Sequence, residues 1–121
     1  MTERERPTDA SLRDAHRMLR DFREGRFAPG SAMTSGQQAL VRQLADDLAV
    51  DGDRDDASAL VLPVSSVDKF WNRESMAAII GFQDALATGS RDSAEAVRMA
   101  FLARCPSAWY REIVDDACAC F

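Results

Sequence analysis

Between Asp9 and Gly25 apolar residues return every three or four positions. Leu12, Ala15, Leu19 and Phe22 fall on one stripe with Met18 at its edge, and Arg13, Arg17, Arg20 and Glu24 fall opposite. A period of 3.6 predicts an amphipathic helix. Thr8, Asp9 or Ser11 can cap its start, and Gly25 stands where glycine commonly ends a helix. Residues 27–31 hold Pro29 and Gly30 and read as a loop. Thr34 with Gln37 three positions later has the form of a capping box, so a second helix is expected to about Val50. Its Leu40, Val41, Leu44, Ala45 and Leu48 share a face, with Arg42, Gln43, Asp46 and Asp47 turned outward.

Residues 51–56 are a polar loop. The stretch Ala57–Val64 stands before and across Pro63, and reads as a short extended or irregular segment with no partner strand. Ser65 or Ser66 is then expected to open a helix holding Val67, Phe70 and Trp71, with a second cap at Ser75. Met76 to Phe82 is apolar on every side, which predicts a helix buried all round at the centre of the fold, ending near Gly89. A further helix starts at Ser90 or Asp92, carries Ala94, Val97, Phe101 and Leu102, and stops at Cys105 and Pro106. The last runs from about Ser107, with Trp109, Ile113 and Cys120 on one stripe and Tyr110, Val114 and Ala117 beside it. The expected fold is all-α: a compact irregular bundle of five to six helices in a single domain covering residues 1–121, with residues 1–7 a flexible tail.

Composition supports a globular chain. Apolar residues make up 46% and charged residues 29% of 121 residues. The densest apolar run, Met76–Phe82, is far shorter than the ~20 residues of a membrane helix, and the charged N-terminus leads into no secretory signal. Cys105, Cys118 and Cys120 are odd in number without framework spacing, which fits a reducing, cytoplasmic setting better than a disulfide scaffold. Fourteen Arg against one Lys, with twenty Ala, point to a GC-rich genome of bacterial or phage type.

The net charge of −5 is uneven. Residues 27–64 carry two Arg against six Asp, a balance that opposes direct nucleic-acid binding. Those six are Asp46, Asp47, Asp51, Asp53, Asp55 and Asp56, with only Arg54 among them, and they form the candidate contact for a partner protein with a basic surface. On the basic ridge Arg13, Arg17 and Arg20, interleaved Asp14, Asp21 and Glu24 predict a solvated face laced by helical ion pairs.

Catalytic chemistry finds little to work with. The one histidine, His16, borders the apolar stripe of the first helix and reads as a packing residue rather than a base. His16 with Cys105, Cys118 and Cys120 makes a poor zinc scaffold. The run Asp51, Asp53, Asp55 fails the calcium-loop pattern, having Asp56 in place of the glycine and Leu62 in place of the bidentate glutamate. No glycine pattern cradles a phosphate, and no cofactor is implied. Glu74 shares a stripe with Phe70, Trp71, Ala77 and Ala78 if the helix is continuous. A break at Ser75 would leave it in solvent, the outcome expected of a glutamate. The last four residues, Cys118 to Phe121, outline a prenylation box, but Cys120 suits it poorly and no basic stretch precedes it, so a tail closing the bundle is the better reading.

The expected function is a non-enzymatic protein-binding module, a small acidic regulator, inhibitor or adaptor that occupies a partner's surface. The alternatives are an assembly subunit, such as a homodimer through apolar surface near Trp71, Trp109 and Phe121, and a ligand-binding or enzymatic domain using Glu74 in an aromatic-lined pocket.

Overall fold

The computed structural model describes residues 9–25 and 33–121, and the expected tail at 1–7 and loop at 27–31 lie outside them. Five helices follow one another: α1 (Asp9–Arg23), α2 (Ser35–Asp47), α3 (Ala57–Ala87), α4 (Arg91–Arg104) and α5 (Ala108–Ala119). No strand occurs among the described residues, so the fold is all-α. The helices form two compact units, residues 1–67 and 68–121, and α3 contributes its first part to one and the rest to the other.

In the first unit α1 packs on α2. Leu12, Ala15, Met18 and Leu19 meet Val41, Leu44, Ala45 and Leu48 in a core that excludes water. Gly25, at φ 78°, follows the end of α1. At the other end, Thr34 and Gln37 form the expected capping box, each side chain bonding the other's backbone N–H, at 3.0 and 2.9 Å. Helix α2 stops at Asp47, short of the expected Val50. The amide of Val50 donates to Ala45 O at 2.8 Å and that of Ala49 to Asp46 O at 3.3 Å, with Ala49 at φ 56°. This is a Schellman ending with alanine in the position that usually falls to glycine. Buried Val50 supplies its apolar contact.

The largest correction concerns residues 57–64. They are the opening turns of α3, which runs unbroken for 31 residues through Pro63. Pro63 can offer no N–H to the Ala59 carbonyl, a fault that costs about 3 kcal/mol in a helix interior. Burial of Ala57, Leu60, Val61 and Val64 along one stripe offsets it, while Pro63 itself faces out. Neither Ser65 nor Ser66 starts a new helix. Ser65 is buried, and Arg23 donates to its hydroxyl at 3.1 Å and to its carbonyl at 2.9 Å. Ser75 does not break the helix either, because its hydroxyl bonds back to Asn72 O at 2.8 Å.

In the second unit the run Met76–Phe82 is not buried all round. Ala78 and Phe82 are inside, but Met76 is 54% and Ile80 53% exposed. The buried spacing is Trp71, Ser75, Ala78, Phe82, one stripe of the helix, and residues on its far side have nothing to pack against within this unit. Gly89, at φ 96°, closes α3 with the same bond pattern as α2, Ser90 N to Ala85 O and Gly89 N to Leu86 O. Ser90 then caps α4, accepting from Ser93 N at 3.0 Å, so the alternative cap at Asp92 is not used. Ser107 caps α5. The buried stripe of α5 is Tyr110, Val114 and Cys118, whereas Trp109 is half-buried and Ile113 and Cys120 are exposed. The stripe centred on Trp109 is therefore displaced by one position.

Candidate functional site

The acidic run of the first unit divides into carboxylates already engaged and carboxylates left over. Asp47 is buried. Asp46 Oδ1 accepts from Arg54 Nε at 2.9 Å, and the same guanidinium donates to the carbonyls of Gly52 and Val50 at 3.2 and 2.8 Å. Arg54 thereby ties the loop to the end of α2, and Arg42 adds a bond to the Arg54 carbonyl. Asp53 accepts from Asp55 N at 2.9 Å, and Asp56 accepts from Ala59 N at 3.2 Å, which makes it the N-cap of α3. Asp51 and Asp55 remain, exposed and with side chains unengaged among the described residues. The turn is also tight against the core, since a Cβ on Gly52 would come within 2.6 Å of Leu60 Cδ2.

In the second unit Glu74 is half-buried and ion-paired, because α3 continues past Ser75. Its Oε1 accepts from Arg104 Nη2 at 2.7 Å. The Arg104 guanidinium lies 5.4 Å from the Trp71 ring centroid and 5.6 Å from that of Phe101, within cation–π range of both. Trp71 meets Phe101 edge-on at 5.9 Å and Phe70 at 4.9 Å. Glu74 and Trp71 do come together, as helical spacing allows, but around an arginine whose role no local pattern announced.

Two further polar centres have no signal in the sequence. Arg98 donates to Glu95 at 3.0 Å and to Asp115 on α5, and these two hydrogen bonds raise its pKa above the ordinary arginine value. An open cleft of about 430 Å³ lies there, lined by Arg91, Glu95, Arg98, Asp115, Asp116 and Cys118. The Cys118 thiol is pushed up, chiefly by burial, with Arg98 opposing the shift. The other centre is buried: Tyr110 donates to Asp68 Oδ1 at 2.6 Å. The partners are 42 positions apart, beyond any local motif.

Cys105 and Cys118 are buried free thiols and Cys120 is an exposed one. Among the described residues no three His, Cys, Asp or Glu side chains stand together to hold a metal. Burial of Cys118 removes the acceptor that a prenylation box would need, and Phe121 stacks on Phe82 at 6.0 Å. His16 is half-buried on α1, and Arg17 pairs with Asp14 at 3.6 Å. No described helix is long and apolar enough to cross a membrane.

Part of the apolar surface expected near the tryptophans and Phe121 is present, since Phe70, 4.9 Å from the Trp71 ring, Ile113 and Phe121 are all exposed. Trp71 is buried and Trp109 half-buried, while Phe70, Met76 and Ile80 project from α3 and Met99 from α4. Compared with family models, with curated proteins and with solved structures, the chain has no match.

Proposed function

We propose that this chain is a non-enzymatic protein-binding module that acts by occupying a partner's surface. One observation carries the reading: Met76 and Ile80, one turn apart on the outer face of α3, are each more than half exposed, at 54% and 53%. Ala77 is exposed beside them. Single apolar residues on a surface need no explanation, but a stripe of them on one helix is the usual mark of a face that meets another protein. The stripe is presented on a rigid support, because Trp71, Ser75, Ala78 and Phe82 fix the opposite side of the same turns. Little ordering is then needed on association.

The acidic turn of the first unit adds a second element to this reading. Asp51 and Asp55, free of local duty, would attract a basic partner and speed its encounter without fixing the final complex. The enzymatic alternative loses its main support, since the Glu74 carboxylate is already bound by Arg104.

A photo-crosslinking residue at position 80, expressed in the native host, tests the proposal. It should give a discrete protein adduct that Met76→Glu abolishes, while the same probe at exposed Asp92 gives none. Equal labelling from both positions would overturn the reading.

A further inference from the structure

We infer that the occupant of the α3 face is a second copy of the chain, docked antiparallel along the same helix. The inference rests on the protein-binding reading of that face and names its partner. The face carries a polarity that an antiparallel pair satisfies and a parallel pair does not. Lys69, Arg73, Met76, Ile80 and Asp84 fall within a ~100° arc of α3, and all five are exposed. Both cations stand toward the N-terminal side of Met76, and the one carboxylate stands toward the C-terminal side. Among the described residues the side chains of Lys69, Arg73 and Asp84 enter no ion pair.

A parallel pair would set Lys69 against Lys69 and Arg73 against Arg73, like charge on like. An antiparallel pair with its two-fold axis at the step between Met76 and Ala77 does the reverse. Lys69 and Asp84 are equidistant from that step, so Lys69 of one copy meets Asp84 of the other, twice by symmetry. Arg73 and Ile80 are likewise equidistant, so the aliphatic stem of Arg73 covers Ile80 of the other copy and its guanidinium reaches one turn on toward Asp84. At the centre Met76 faces Ala77, a flexible large residue against a small one that lets the helix axes approach. Every residue of the stripe thus finds a complementary position under one symmetry operation. An interface of one helix pair falls at the small end of specific interfaces, which sets the expected dissociation constant in the micromolar range, roughly 1–100 μM.

Sedimentation equilibrium on the full chain, with circular dichroism as the folding control, tests this. The wild type should show a monomer–dimer equilibrium in that range. Ile80→Glu should remove the dimer while leaving the helical spectrum intact, because the position is exposed. Lys69→Glu and Asp84→Lys should each weaken the dimer by about threefold to tenfold, each change counting twice. The double variant K69E/D84K should restore it, which neither a parallel pair nor an interface elsewhere would do. A wild type that stays monomeric well above the micromolar range, or a dimer indifferent to Ile80→Glu, overturns the inference. So does a charge swap without restoration. The crosslinking probe at position 80 separates the two levels of the argument. An adduct of twice the chain mass supports the homodimer, an adduct with a different protein sinks it while keeping the binding reading, and no adduct from a monomeric chain sinks both.

Discussion

The acidic turn at residues 46–56 and the apolar run at residues 76–82 are the two most extreme stretches of the chain, and the fold treats them in a parallel way. In the turn, Asp47 is buried, Asp46 holds Arg54, Asp53 accepts from Asp55 N and Asp56 caps α3, which leaves the side chains of Asp51 and Asp55 without local partners. In the run, Ala78 and Phe82 enter the core, which leaves Met76 and Ile80 outside. Each stretch is divided between residues that build the fold and residues that do not. What is available for binding is the remainder after local structure has taken its share, and that remainder is smaller and more directional than the composition of either stretch.

The sharpest way to break this comparison is to truncate both sides of the run. Phe82→Ala should cost about 3–5 kcal/mol, as buried aromatic truncations do, whereas Ile80→Ala, two positions away, should stay within about 0.5 kcal/mol. Urea unfolding at low protein concentration measures both, and equal losses would return Ile80 to the core. The turn has a matching pair. Asp56→Ala removes the cap of α3 and should cost about 0.5–2 kcal/mol, while Asp51→Ala should leave the midpoint where it is.

A smaller effect is expected where the turn begins. Ala49 sits at φ 56° in the ending that Gly89 occupies without strain on α3. Ala49→Gly should therefore stabilise by up to about 1 kcal/mol, the relief of left-handed strain less the entropy that glycine adds to the unfolded chain. Changing Asp51, Asp53, Asp55 and Asp56 together to Asn should move stability less still, since Asn caps a helix as well as Asp does. Its signature should be slower association with a basic partner at low salt, and a rate unchanged at every salt concentration would reduce the turn to a connector.

The last contrast concerns two thiols and costs no stability at all. Cys120 is exposed, whereas burial holds the Cys118 thiol protonated above the ordinary thiol range. Alkylation should label Cys120 first, and labelling of Cys118 in the folded chain should need more alkaline conditions, because the thiolate is the reactive form. Simultaneous labelling at neutral pH would show that α5 does not bury Cys118.

Much of the helical pattern is legible in the sequence because it is set locally. The Thr34–Gln37 box, the caps at Ser90 and Ser107 and the stop at Cys105 all depend on residues within one turn. The errors have a common physical origin. Pro63 and Ser75 look like breaks to local rules, but burial of Leu60, Val61 and Val64 in one case and a hydroxyl bond to Asn72 O in the other carry the helix through. The outward side of Met76–Phe82 was illegible because hydrophobicity records what a residue tolerates, not which neighbours it has. The Glu74–Arg104, Arg98–Asp115 and Asp68–Tyr110 pairs span 30, 17 and 42 positions, and only the packing of helices brings them together.

Pro63 leaves a mark on how α3 comes apart. A helix unzips by losing successive rungs, and the rung between Ala59 and residue 63 is missing from the start. Opening of the turns at 57–62 therefore need not recruit the turns beyond. In amide hydrogen exchange the protons that donate to the carbonyls of residues 57–62, up to Ser66, should trade with solvent as one cooperative group, and those from Val67 onward as another with its own opening free energy. Pro63→Ala would supply the absent rung and merge the two groups, turning a jointed helix into a continuous one.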